Sequence, residues 1–235
     1  MRMLLKPWNE LPDFMKNDEV KLYYDNISKK RFSLISKRIF DIIMSSVLII
    51  LVSPILLVLS IWIKIDSNGP VFYRQERVTQ YGKTFQIYKF RSMIVNADQT
   101  GASVTIKNDS RITKVGNRIR KSRLDELPQL FNVLIGDMSF VGARPEVRKY
   151  VNEYTEEMNA TLLLPAGITS LASIKFKNED DIINSFLKKG QTIDEIYLKG
   201  VLPKKMSYNL DYLYNFGLLH DFWLCLQTVF FRRCS

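Results

Sequence analysis

Apolar positions follow three patterns along this chain of 235 residues: an unbroken run, alternation by twos, and recurrence at helical spacing. The unbroken run comes first. From Ile42 to Ile63, 22 residues carry no charge, and at a rise of ~1.5 Å per residue a straight helix of that length reaches roughly 33 Å, enough for a ~30 Å hydrocarbon core. Ser53-Pro54 occupies its middle. Proline removes a backbone donor and collides with the carbonyl four residues back, while the serine hydroxyl can bond a freed carbonyl, so a bend is predicted there. Basic residues flank both ends: Lys21, Lys29, Lys30, Arg31, Lys37 and Arg38 before, Lys64, Arg74, Arg77, Lys83, Lys89 and Arg91 after. A single span normally has positive charge on one side only. Two geometries fit these residues: a kinked span, and a helix that enters one leaflet, turns at Ser53-Pro54 and leaves through the same face.

Beyond the turn Asn68-Gly69-Pro70, VFYRQERV and TFQIYKFR read as two strands joined by Thr79-Gln80-Tyr81-Gly82. Period two places Phe85, Ile87, Lys89 and Arg91 on one face of the second strand, so two cations project together. Leu124, Leu127, Leu130, Phe131 and Leu134 recur at helical spacing, predicting a short helix with Pro128 in its first turn. Residues 146–158 read as a solvent-facing helix, 163–174 return to a β-like pattern, and the apolar tail from Asp211 to Arg233 fits either an interfacial or a core helix. Residues 1–35 show no sustained period and are expected as a partly ordered lead-in. The expected units are therefore 1–35, a membrane segment 36–65 that stays in the mature protein, and a domain over 66–235.

Composition narrows the chemistry. Lys and Arg total 34 against 24 acidic residues, net +10, so the partners are anionic. Cys225 and Cys234 lie outside any C-x-x-C spacing, and His220 is the sole histidine, which removes a disulfide framework, a His-rich zinc site and any two-histidine mechanism. No glycine-rich phosphate loop of the P-loop or dinucleotide type occurs, so phosphate binding would fall to Arg, Lys and helix N-termini. Asp125-Glu126 is the acidic pair of interest, following a run over 107–123 with seven basic residues and one acid. Ser122 and Asp125 have capping-box spacing, a structural reading. In the functional reading, neighbouring cations keep one carboxylate ionised and nucleophilic while the other, ~100° round the helix, holds a metal.

The ordered blocks Lys37-Arg38-Ile39-Phe40-Asp41, Ser53-Pro54, Gly69 to Gln75, Tyr88 to Met93, Leu124 to Val133, Gly136 to Gly142, Arg144-Pro145-Glu146 and Pro165 to Thr169 resemble the bacterial sugar transferases, the monotopic polyprenyl-phosphate phosphoglycosyl transferases. The resemblance implies an α+β fold: a small mixed domain with interfacial amphipathic helices and a β-hairpin, anchored by one membrane helix made re-entrant at Ser53 and Pro54. It implies transfer of a sugar phosphate from a UDP-sugar to polyprenyl (undecaprenyl) phosphate with release of UMP, the first membrane step of a bacterial surface glycan such as capsule or exopolysaccharide. Asp125 matches the family's attacking aspartate and Glu126 its Mg²⁺ ligand. Arg120, Arg144 and the adjoining Pro145 match phosphate- and nucleotide-binding positions, with Lys89 and Arg91 expected nearby. Ala143, Ser170 and Ser173 depart from the residues usual in the family at those places.

The resemblance places the enzyme on the cytoplasmic face of the bacterial inner membrane, with a phospholipid bilayer and no nucleic acid among its partners. The competing reading is a membrane-tethered protein whose basic run binds nucleic acid or another anionic ligand through phosphate contacts. That reading accounts for the charge and leaves Asp125-Glu126 without a role. The sequence names neither the sugar nor the oligomeric state.

Overall fold

The computed structural model describes residues 5–97, 109–176 and 192–230. Lys107 and Asn108 of the basic run, and Arg232, Arg233 and Cys234 of the tail, lie outside the described residues. The lead-in holds more order than its pattern suggested. Helix α1 (Asp18–Ser28) is capped by the Asn17 side chain, which accepts from the Val20 N–H at 2.8 Å, and Asp18 and Glu19 in its first turn suit the helix dipole. Its stripe Val20, Tyr23 and Ile27 is buried in the main core with Leu34, Val141, Leu163 and Leu213. That stripe is only three residues wide, and one member is a tyrosine whose hydroxyl donates to Glu157.

Helix α2 (Arg31–Asp66) contains the whole uncharged run and continues through Pro54 as one helix. Ser53 Oγ donates to the Ile50 carbonyl at 2.8 Å, close to where proline disturbs the ladder. Among the described residues it is the one helix long and apolar enough to cross a membrane. Its middle is bare, with Ile50 72%, Leu51 67% and Leu57 64% exposed. Both its ends are buried, and each end is held differently.

The first end carries a polar stripe, Lys37, Arg38, Asp41 and Ser45, at helical spacing and buried. Lys37 is 2% exposed and donates to the Val141 carbonyl at 2.8 Å and to Asp221 Oδ2 at 2.5 Å. Arg38 donates to the carbonyls of Val133 and Leu134 at 2.7 and 2.8 Å, at the C-terminal end of α4 (Gln129–Ile135). Asp41 accepts from the Phe140 N–H. The far end is apolar: Leu59 and Ile63 pack against Phe90, Val115 and Ile119. Asp66 then accepts from the Val115 N–H, near the start of α3 (Lys114–Lys121).

Strands β1 (Phe72–Val78) and β2 (Thr84–Phe90) form the expected antiparallel hairpin, with Phe72 opposite Phe90 and Val78 opposite Thr84. Tyr81 at its tip takes a left-handed φ of 58°, and its hydroxyl accepts from the Lys6 N–H at 2.9 Å. Strands β3 (Met138–Val141) and β4 (Ala166–Thr169) pair in parallel as a second two-stranded sheet. Helix α4 ties the sheets together. Its Asn132 side chain accepts from the Tyr88 N–H and donates to the Gln86 carbonyl, and Val133 packs with Phe85, Ile87 and Met138. The fold is thus mixed α and β, with one long apolar helix.

Three sequence expectations change. The solvent-facing helix over 146–158 reduces to one turn, α5 (Arg148–Val151), with Tyr150 and Val151 buried, because the chain tightens into 3₁₀ turns over Glu157–Leu163. The β-like stretch over 163–174 splits into β4 and a short helix α6 (Leu171–Lys175), capped by Ser170. The tail resolves into α7 (Leu202–Tyr214), entered through a π turn over Tyr197–Val201, and α8 (Leu218–Phe230). Helix α8 buries Asp221 and Leu224 and exposes Leu219, Phe222 and Trp223.

The Lys37–Asp221 pair gives a stability test. Breaking a buried pair leaves the remaining charge uncompensated, so Lys37→Met is expected to lower unfolding stability in mild detergent by about 3–5 kcal/mol. Adding Asp221→Leu to the same chain removes the stranded charge, and most of the loss is expected to return.

Candidate active site

The acidic pair sits on a 3₁₀ turn, Leu124–Glu126, between α3 and α4. Ser122 does not cap it. Its Oγ turns back to the carbonyls of Arg118 and Ile119 at the end of α3, so the capping box expected from spacing does not form. Arg123, at a left-handed φ of 54°, reverses the chain instead. Leu124 and Leu127, on either side of the carboxylates, pack against the cluster of Leu59, Ile63, Phe90, Val115 and Ile119, and Pro128 precedes the first residue of α4. The turn is fixed by its apolar neighbours, which leaves its polar side chains for other work.

Glu126 faces two cations. Arg144 donates to its Oε1 at 2.5 Å, and the Lys89 ammonium lies 3.6 Å from the same oxygen. Burial alone would raise its pKa, but Arg144 and Lys89 outweigh it and hold the carboxyl well below the usual range. Lys89 shows the converse. Burial, only partly offset by Glu126 and reinforced by Arg144 and Arg77, brings its pKa down to about 8. Asp125 is 8% exposed, and burial and the adjacent Glu126 charge push its pKa up against the opposing pull of Lys89 and Arg120. One carboxylate is thus firmly ionised and the other is made more basic.

Arg144 and Pro145 reach this place on a loop set by two glycines. A Cβ on Gly142 would stand 2.4 Å from the Pro165 carbonyl, and one on Gly167 would stand 2.2 Å from the Gly142 nitrogen, so only glycines allow the two backbones this close. The Gly142 N–H then donates to Thr169 and the Gly167 N–H to Ala143, extending the β3–β4 pairing up to Arg144. The Pro145 carbonyl accepts from Arg77 Nη1 at 3.3 Å, and Glu146 is buried against the Tyr197 hydroxyl at 2.5 Å and Lys205 at 3.3 Å.

The structure therefore brings together Asp125, Glu126, Lys89, Arg144 and Pro145, with Arg120 close enough to act on the Asp125 charge. Arg91 is elsewhere. Its buried guanidinium donates to the carbonyls of Ser67 at 2.6 Å, Asn68 at 2.8 Å and Ile63 at 3.4 Å, closing the C-terminal end of α2. It follows the last residue of β2, so the alternation that placed it beside Lys89 no longer applies. Ser53 and Pro54 lie on the bare stretch of α2, and His220 stands beside Tyr212, neither among the clustered carboxylates.

Arg77, Glu146, Tyr197 and Lys205 were not singled out from the sequence. The hairpin register would have found the first: Arg77 lies opposite Phe85 and Tyr73 opposite Lys89, so β1 presents Tyr73, Gln75 and Arg77 on the Lys89 face. Among the described residues no group of three or more His, Cys, Asp or Glu side chains could hold a metal ion. Asp125 and Glu126 supply two oxygen-donor side chains. A hard divalent cation bound by one or two carboxylates takes its remaining ligands from water and substrate phosphates, so this donor set fits Mg²⁺ with a diphosphate substrate.

The structure thus combines a mixed α and β fold, one helix long and apolar enough to cross a membrane, and a carboxylate pair rimmed by cations. The chain belongs to the bacterial sugar transferase family, whose model matches residues 32–232. It is 48% identical over 173 residues to a UDP-N-acetylgalactosamine-undecaprenyl-phosphate N-acetylgalactosaminephosphotransferase of Aeromonas hydrophila, a match covering 72% of this chain and 37% of that one. It is 40% identical over 137 residues to an undecaprenyl-phosphate galactose phosphotransferase of Salmonella typhimurium, covering 52% and 29%. It is 37% identical over 175 residues to a UDP-glucose:undecaprenyl-phosphate glucose-1-phosphate transferase of Xanthomonas campestris pv. campestris, covering 73% and 33%. The chain thus spans about a third of the length of these relatives.

The opposed pKa shifts give opposite expectations for stability. Asp125 binds its proton more tightly folded than unfolded, so its ionised form costs stability above its raised pKa and nothing below the ordinary aspartate range. Asp125→Asn is expected to raise the thermal midpoint at neutral pH, the gain fading as pH falls through that range. Glu126 contributes stability above the ordinary glutamate range, lost as pH falls through its depressed pKa. Glu126→Gln is expected to lose about 1.5–3 kcal/mol at neutral pH, the worth of a charge-assisted hydrogen bond, with the deficit shrinking in acid. Thermal melts of the three proteins across the pH range check both signs.

Proposed function

We propose that this chain transfers a sugar 1-phosphate from a UDP-sugar to polyprenyl phosphate at the cytoplasmic face of the bacterial inner membrane, as the first membrane step of a surface glycan. The observation that carries the reading is the buried Asp125-Glu126 turn, with Arg144 and Lys89 on Glu126 and Arg120 acting on Asp125, in a member of this family. The named relatives act with undecaprenyl phosphate as acceptor and with three different sugars. A panel of UDP-sugars therefore decides the donor.

An Asp125 carboxylate oxygen attacks the β-phosphorus of the donor, the bond from that phosphorus to the bridging oxygen breaks, and UMP leaves with the bridging oxygen. The product is an acyl phosphosugar on Asp125. A polyprenyl phosphate oxygen then attacks the same phosphorus and displaces the carboxylate, restoring the enzyme and forming a polyprenyl-diphosphate sugar. Arg144, Arg120 and Lys89 offset the charge that gathers on the phosphoryl oxygens, in a site already shielded from water. Glu126 would hold Mg²⁺, which would supply Lewis-acid polarisation of a phosphoryl oxygen. Glu126 suits this role because it is ionised at every working pH. The raised basicity of Asp125 strengthens it as a nucleophile.

Membrane seating follows from the two ends of α2. Its polar end is bonded to α4, β3 and α8, its apolar end packs on α3, and its bare middle carries Ser53-Pro54. A helix held by both ends to one folded body cannot deliver them to opposite sides of a bilayer. The re-entrant geometry is the one these contacts support, with the middle dipping into one leaflet.

Incubation with UDP-sugar and Mg²⁺ but no lipid is expected to add one phosphosugar to the protein by intact mass, and acceptor is expected to discharge it. Asp125→Asn is expected to remove the adduct, and Arg144→Ala to slow its formation roughly tenfold to a hundredfold, the cost of one charge-assisted phosphate contact. An adduct on another residue would unseat Asp125, turnover without any adduct would favour direct attack by the lipid phosphate, and no UMP at all would leave a binding protein.

Topology has its own readout. Lys29 and Lys83 are both exposed and lie on opposite flanks of α2. Cysteines placed at each are expected to resist a membrane-impermeant thiol reagent on intact cells and to react after permeabilisation. Labelling of one in intact cells would establish a span. Pro54→Leu, which restores the missing donor, is expected to move the segment towards spanning.

A further inference from the structure

The outer face of α3 carries charge that the site does not use. Arg120 and Arg123 act on Asp125 and Glu126. Lys114, Arg118 and Lys121 recur at i, i+4 and i+7 on a different face, all exposed, and none forms an ion pair among the described residues. Residues 114–123 contain no acid. Like charges at these spacings disfavour a helix, and Lys114 at its first residue opposes the macrodipole. Among the described residues no carboxylate pairs with them.

Their position points to an external partner. Val115 and Ile119 bury the inner face of α3 on Leu59 and Ile63 of α2, so the cationic stripe lies beside α2 rather than away from it. The Arg118 guanidinium stands 5.6 Å from the Trp62 ring centroid. Trp62 in turn belongs to the exposed apolar surface of α2 with Val58, Ile61 and Ile65. Indole rings settle where hydrocarbon meets headgroups, and basic groups beside them meet lipid phosphates.

We infer that the outer face of α3, through Lys114, Arg118 and Lys121 beside Trp62, is a docking surface for the headgroups of anionic phospholipids in the leaflet that receives α2. The inference rests on the membrane seating proposed above and is independent of the reaction. Headgroup contact there would set the height of the Leu124–Glu126 turn, whose Leu124 packs on the same apolar cluster as α3.

The test uses the full chain in vesicles of phosphatidylcholine alone or of an equal mixture with phosphatidylglycerol. Association of spin-labelled phosphatidylglycerol is compared with that of spin-labelled phosphatidylcholine. The wild type is expected to prefer the anionic label, and the preference is expected to fall as salt rises. Lys114→Gln/Arg118→Gln/Lys121→Gln is expected to lower the preference by about fivefold or more, the effect of at least one basic group at an anionic surface. Lys114→Arg/Lys121→Arg is expected to keep it. UMP release in phosphatidylcholine alone is expected to be the same for wild type and triple variant. Equal association of both labels with the wild type, or an undiminished preference in the triple variant, overturns the proposal. Vesicle flotation and UMP release separate the other failures. A chain that does not float with vesicles ends the membrane reading and this one together, whereas a chain that floats, prefers the anionic label and releases no UMP ends only the transferase reading.

Discussion

The structure depends on a long helix held at both ends by one folded body. Helix α2 starts in a polar clasp and ends in an apolar one, and both belong to the same domain. The polar clasp is the unusual part. Four buried polar residues in the first turns of an otherwise apolar helix would be costly unless each found a partner, and Lys37, Arg38 and Asp41 find theirs in Asp221, the carbonyls at the end of α4 and the Phe140 N–H. Charge-assisted bonds of this kind contribute about 1.5–3 kcal/mol each when made and cost more when one partner is removed. The far end needs less directionality, because Leu59 and Ile63 have an apolar face on α3 to meet. Arg91 closes it by bonding the carbonyls that a helix C-terminus leaves unpaired. Arg38 does the same for α4, so two buried guanidiniums add to the backbone caps that Ser67 gives α2 and Gly136 gives α4.

That arrangement joins membrane position to chemistry. Leu124 and Leu127 bracket Asp125-Glu126 and rest on the apolar cluster to which the end of α2 contributes Leu59 and Ile63, while Lys89 lies two residues before Arg91, which bonds that end. A shift of α2 against the domain therefore moves the carboxylates and their cations together. A rigid local frame of this sort suits a reaction between a water-soluble donor and a lipid phosphate, since both must meet at one depth.

How much of this was legible in the sequence follows from what each feature depends on. The hairpin and a short helix near Pro128 rest on local pattern; the hairpin stands, and the helix forms later than its spacing suggested, with Pro128 ahead of its first residue and Asp125-Glu126 on a separate turn. Features set by distant partners were hidden. Arg91 looked like a second cation on the Lys89 face because period two holds only while the strand lasts, and the strand ends at Phe90. Ser122 matched a capping box by spacing, yet it belongs to the end of α3, not the start of the next turn. Helix α1 was obscured by a narrow stripe. The partnership of Glu146 with Tyr197 and Lys205 joins positions more than fifty residues apart, which no local pattern encodes.

Charge balance explains why so many cations gather here. Around the acidic turn stand Lys89, Arg77, Arg120, Arg123 and Arg144, with Lys205 behind them; against these six are Asp125, Glu126 and Glu146. These side chains carry an excess of three positive charges, and Lys89, brought down to about 8 chiefly by burial, is lowered further by Arg144 and Arg77. A diphosphate ester bound among them would supply two negative charges and offset most of the excess. Its charge would favour the Lys89 ammonium, while the surrounding cations would offset the repulsion that meets a carboxylate attacking a dianion. Under the proposed reaction the donor completes the electrostatics of its own site, and water, being neutral, cannot do the same.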